Sequence, residues 1–107
     1  MNRDLATLAA LASQVSDIYA LRHGIVRNDD WHVLKLQEEL GELTAEWLRC
    51  TGRGRPKGGA DTDAVRMALE NEAADLLATL LVFARHNDID LDAALERKWF
   101  KYLPPSD

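Results

Sequence analysis

The sequence predicts an all-α domain, a four-helix antiparallel bundle, on three observations. Apolar residues recur at helical spacing along nearly the whole chain, the recurrence is interrupted only between helices, and each interruption carries capping or helix-stopping residues. No stretch alternates with period two over more than a few residues, so no sheet is expected.

Leu5, Leu8, Leu11 or Ala12, Val15 and Ile18 or Tyr19 set a first helix from Asp4 to about Arg22, which Gly24 stops. Asn28, Asp29 or Asp30 caps a second helix that reaches about Thr51. On it Val33, Leu36, Leu40, Leu43 and Trp47 form a narrow apolar stripe, with Trp47 expected in the core. Gly52 to Gly59 is glycine-rich and basic and reads as a loop. A third helix starts at Asp61, Thr62 or Asp63 and lasts to about His86, with Leu69, Ala73, Leu76, Leu80 and Phe83 as its stripe. Asn87 and Asp88 end it, and Asp90 caps a last helix whose Asp92 and whose Arg97, Lys98 and Lys101 complement the helix dipole. Pro104 and Pro105 close the domain.

A length of 107 residues makes one domain, residues 1–107, with a core that a partner subunit would help to complete. The N-terminal apolar stretch follows Asp4, is Ala-rich and lacks a basic flank, so neither a targeting signal nor a membrane span is expected, and the location expected is cytoplasmic. The single cysteine, Cys50, has no Cys or His at metal-ligand spacing, fits a reducing compartment and is expected in half-buried packing. A net charge of −5 argues against a nucleic-acid polymer as partner, though not against a nucleotide held through a metal.

The informative pattern is acidic. Glu38, Glu39, Glu42 and Glu46 lie beside the stripe of the second helix, and Leu69-Glu70-Asn71-Glu72-Ala73-Ala74-Asp75-Leu76 repeats the spacing found from Leu36 to Leu43. In each helix an acid pair at i, i+3 borders the apolar stripe. If the helices pack through those stripes, Glu39, Glu42, Glu72 and Asp75 converge and their mutual repulsion calls for a cation. Oxygen donors without His or Cys select Mg²⁺, Mn²⁺ or Ca²⁺. Gly41, unfavourable in mid-helix, would let a metal or a facing element approach closely. The competing reading is a solvated acid face, which is how Glu70 is read, while Glu46 is read as a peripheral acid, either just behind the ligands or at the surface. His23, His32 and His86 stand near helix ends and are read as capping or surface residues.

Glu38-Glu39-x-x-Glu42, then Glu72-x-x-Asp75, then the Ile89-Asp90-Leu91-Asp92 helix start and Lys98 closely resemble the MazG-like all-alpha nucleoside triphosphate pyrophosphohydrolases over about Lys35 to Lys101. The resemblance implies cleavage of a nucleoside triphosphate to monophosphate and pyrophosphate, clearing non-standard nucleotides, with Mg²⁺, or Mn²⁺ in its place, on Glu39, Glu42, Glu72 and Asp75. It makes Glu38 the residue that orients or deprotonates the attacking water, Lys98 and Lys101 phosphate contacts, and the assembly a dimer or tetramer. The sequence departs from some relatives in carrying Trp99-Phe100-Lys101-Tyr102 where Asn or Arg follows the lysine. Arg53, Arg55 and Lys57 are candidates to close over the phosphates, and Trp31 to stack on the base. The competing function is a catalytically silent helical module for oligomerisation or protein binding, with the acids as a structural metal site. A related pyrophosphohydrolase acting on a phosphoribosyl-nucleotide shares the chemistry and differs in its pocket.

Overall fold

The structure is a computed structural model that describes residues 2–53 and 62–105. Those residues form four α-helices and a closing 3₁₀ turn, with no strand among them. Helix α1 spans Leu5–His23, α2 Trp31–Cys50, α3 Thr62–His86 and α4 Leu91–Lys98, followed by the 3₁₀ turn Phe100–Tyr102, which the sequence did not predict.

Each terminus has a local cause. The Asp4 carboxylate accepts from the Thr7 amide at 2.7 Å, and Gly24, left-handed at φ 64°, returns its amide to the Ala20 carbonyl. Of the three candidates for the start of α2, Asn28 does the work, its side-chain oxygen accepting from the amides of Asp30 and Trp31. Asp88 takes a left-handed φ of 54°, and the Ile89 amide bonds back to Ala84, which turns the chain out of α3. Asp90 then caps α4 by accepting from the Ala93 amide at 3.0 Å. Most of the basic loop, with Arg55 and Lys57, lies outside the described residues, as does Asp61.

Helix α3 is the hub. Helix α2 packs along it most extensively and α1 less so, whereas α4 packs chiefly against the 3₁₀ turn. The start of α4 meets the start of α1 and the end of α3 around one cavity, which Leu5, Ala9, Leu81 and Leu91 help to line.

The interior corrects the predicted stripes. Among the described residues the buried apolar ones are Ala20, Leu81, Val82 and Ala84, and α2 instead buries His32, Glu39 and Glu46, at 3, 7 and 7% exposure. The stripe members Val33, Leu40 and Trp47 remain 46, 52 and 48% exposed, while Leu36 and Leu43 are half-buried. Helix α2 is therefore turned by roughly one residue, about 100°, from the expected orientation. Trp47 is not core, Glu46 is not a surface acid, and His32 is no surface histidine. Cys50 is half-buried, as expected.

The chain exposes 8508 Å², against about 6,000 Å² for a compact monomer of its mass. Its radius of gyration is 16.8 Å, where a compact chain of about 100 residues has roughly 13 Å. Among the described residues no helix is long and apolar enough to cross a membrane.

Candidate metal centre

The rotation of α2 turns its acids toward α3. Two overlapping groups of carboxylates result: Glu38, Glu39 and Glu42 along α2, and Glu39, Glu72 and Asp75 across the two helices. Within each group one oxygen per residue lies within 4.8 Å of the others, and Glu39 belongs to both. Glu39 is buried, Glu72 is half-buried, and Glu38, Glu42 and Asp75 stand at the solvent edge. The four acids expected as ligands are thus assembled by the fold, with Glu38 flanking them on the outer side.

The electrostatics of the cluster are those of a site short of positive charge. Burial raises the pKa of Glu39 above its ordinary value, and the charges of Glu42 and Asp75 raise it further against the pull of Lys35. Glu72 is raised first by burial and then by Glu42, Asp75 and Glu39. Lys35 supplies the nearby cation, with its Nζ 3.4 Å from Glu38 and 3.5 Å from Glu39. Burial pulls the Lys35 ammonium down, but the two glutamates outweigh it and its pKa rises. Among the described residues this leaves Oε2 of Glu39 and Oε2 of Glu72 buried without a hydrogen-bond partner. An unsatisfied buried polar atom costs about 1–3 kcal/mol, more when charged. A divalent cation with hard-oxygen preference fits this donor set, since it satisfies both orphaned oxygens and relieves the repulsion. Glu46, one turn further along, has Arg49 as its own ion pair and stands outside the cluster.

A cavity of about 290 Å³ opens beside the acids, lined by Glu39 and Asp75 together with Trp31, His32, Tyr19 and Ser16. Trp31 is thus placed next to the acids, as a base-stacking residue would have to be. Lys98 and Lys101 are not. Both are exposed on the α4 arm, which does not pack along α2 or α3, and the Lys101 ammonium stands 5.1 Å above the Tyr102 ring. Gly41 also departs from expectation. It lies on the exposed side of α2, where an added Cβ would meet nothing within 4 Å, so no facing element among the described residues needs the space.

Sequence reasoning missed His32, and with it the contribution of α1. The signal was present: His32, Glu39 and Glu46 recur every seven residues, so placing Glu39 against α3 places the other two inward as well. Compared with family models, with curated proteins and with solved structures, the chain matches none.

Proposed function

We propose that the chain is a Mg²⁺-dependent nucleoside triphosphate pyrophosphohydrolase of the MazG-like type, assembled as a dimer or tetramer. The observation that carries the reading is the convergence of Glu39 and Glu42 with Glu72 and Asp75, two of whose oxygens are buried and unpartnered. When bound, the cation supplies charge neutralisation at the phosphate oxygens and a more acidic water. Glu39, Glu42, Glu72 and Asp75 hold it. Glu38, solvent-facing at the rim, accepts the proton of the water that attacks the α-phosphorus, while the bond to the bridging oxygen breaks and pyrophosphate leaves. Trp31 stacks on the base from the adjoining cavity.

The surplus surface supports the assembly part of this reading. The excess over a compact monomer, about 2,500 Å² per chain or about 5,000 Å² for a pair, lies at the upper end of what obligate interfaces bury. Its apolar part includes the Val33, Leu40 and Trp47 face of α2 and the Trp99, Phe100 and Tyr102 arm. In such an assembly Lys98 and Lys101 reach phosphates only if the arm is brought to the acids of a neighbouring copy. The position of those lysines is also the observation that favours the silent module, in which the arm serves assembly alone.

The test is a pyrophosphate-release assay of the wild-type chain with Mg²⁺ or Mn²⁺ over canonical and modified triphosphates. Turnover is expected, and Glu39→Gln or Asp75→Asn should lower it by at least about a hundredfold while the helical circular dichroism is kept. Absence of turnover on every triphosphate would instead support the silent module.

A further inference from the structure

Two turns away from the acids, a second cavity carries the opposite charge. His32 precedes Glu39 by seven residues, a rise of about 10 Å along α2. There a cavity of about 240 Å³ is lined by Ser13 and Asp17 of α1, by Arg27 and His32, and by Arg85 and His86 at the end of α3. Two arginines stand against a single carboxylate, so the lining is positive before either histidine is protonated, in a chain whose net charge is −5. The positive groups are held in place rather than used up. The Arg27 guanidinium donates to the Ser16 hydroxyl and to the Asp17 carboxylate, each at 2.8 Å, and keeps further N–H donors. Arg85 is exposed and makes no side-chain hydrogen bond or ion pair with any described residue, although Asp4, Asp90 and Asp92 share a neighbouring cavity with it. His32 is more than nine-tenths buried, and its Nδ1 has no partner among the described residues. Its ring lies against the His86 ring at 4.5 Å, and Nε2 of His86 is 3.8 Å from the exposed Asp29 carboxylate. An orphaned buried nitrogen and an unpaired guanidinium lining one cavity call for a ligand with several acceptor oxygens and negative charge. Since a water takes about 30 Å³, the cavity has room for a tetrahedral oxyanion and part of its hydration.

We propose that this cavity is an oxyanion site that takes a phosphate group, free or as the monoester of a small molecule, on Arg27, Arg85, His32 and His86. The inference goes beyond the pyrophosphohydrolase reading and does not depend on it, because neither the acid cluster nor a divalent cation takes part. Bound there, the anion ties the connection between α1 and α2, through Arg27, to the end of α3, through Arg85 and His86. It thereby stiffens the junction at which His32 sits.

The full chain is titrated in EDTA, so that no divalent cation bridges phosphate to the acids. The probes are inorganic phosphate and glycerol 3-phosphate, with sodium chloride at matched ionic strength as the control. Phosphate should shift the amide signals of Ser13, Asp17, Arg27, His32, Arg85 and His86 and leave those of Glu42 and Glu72 in place. It should also raise the titration midpoint of the His32 imidazole, which burial, His86 and Arg27 hold below its ordinary value against the pull of Asp17, because a bound anion acts in the same sense as Asp17. Arg85→Gln, at an exposed position, should weaken phosphate by about tenfold or more, and Arg85→Lys should recover part of the loss. Arg66→Gln removes the same charge from an exposed part of α3, where Glu70 is its partner, and should leave the affinity within about twofold. Binding of the ester as well as the free ion, or of the free ion alone, supports the site and decides its source. Shifts no larger than those of chloride, or equal affinity in wild type and Arg85→Gln, would overturn the proposal.

Discussion

The two faces of α2 invert the usual relation between polarity and burial. The face against α3 centres on His32, Glu39 and Glu46, all buried, while one residue on from each, Val33, Leu40 and Trp47 stand about half exposed. A helix stabilised by packing alone would turn the other way, since each fully buried large apolar side chain is worth about 1.5–3 kcal/mol. Burying carboxylates together costs free energy, as the raised pKa values of Glu39 and Glu72 register. Under the proposed function the inner face would hold a cation and the outer face would meet a second copy of the chain.

The largest expected effect lies at the outer face of α2. Leu40→Glu combined with Trp47→Glu should reduce the mass seen by light scattering on a sizing column to that of one chain. On a face open to water such changes move stability by only about 0.5 kcal/mol, so an unchanged mass would show that the face covers nothing.

The inner face is sharpened by metal. At neutral pH, Mg²⁺ at about a hundred times its dissociation constant should stabilise the wild-type chain by about 2.7 kcal/mol in chemical denaturation. Glu72→Gln should abolish that gain and yet make the cation-free chain more stable, by up to about 1 kcal/mol, because it removes one of several like charges. The sign follows from the raised pKa values of Glu39 and Glu72. Their contribution to the cation-free fold is fully present below the ordinary value of 4.5 and is lost as pH rises through the higher folded values. The Mg²⁺ gain should therefore grow over that same window.

His32 titrates in the opposite sense. Burial holds its pKa below the ordinary 6.5, helped by His86 and Arg27 and opposed by Asp17. Its contribution to stability is complete above 6.5 and falls as pH drops through the lowered folded value. His32→Phe should flatten that fall relative to wild type between about pH 7 and pH 5, measured as the difference between the two denaturation curves. The smallest effect is at Gly41, where alanine meets no atom within 4 Å. Gly41→Ala should add about 0.5–1 kcal/mol by restoring helix propensity, and a loss of stability instead would place a second copy against that side of α2.

Much of the fold was legible in the sequence. The bounds of α1 and α3, the cap at Asp90 and the stop at Gly24 follow from local signals that act within one turn. The four ligand candidates were legible too, because an acid pair at i, i+3 repeated on two helices is itself a local pattern. The orientation of α2 was not. A stripe of Val33, Leu40 and Trp47 and an arc of His32, Glu39 and Glu46 lie only about 100° apart on the same helix. Hydrophobicity alone ranks the stripe first for burial, and has no means of counting what the other helices bring against each face.

Local sequence thus determined where the helices begin and end, and which acids share a face. The tertiary structure decided which face of α2 meets α3, that His32, Ser16 and Tyr19 wall a cavity beside those acids, and that Lys98 and Lys101 stand apart on the α4 arm. The physical reason is range: caps and helical periodicity are set by residues a few positions apart, whereas burial depends on what every other segment brings to the same place.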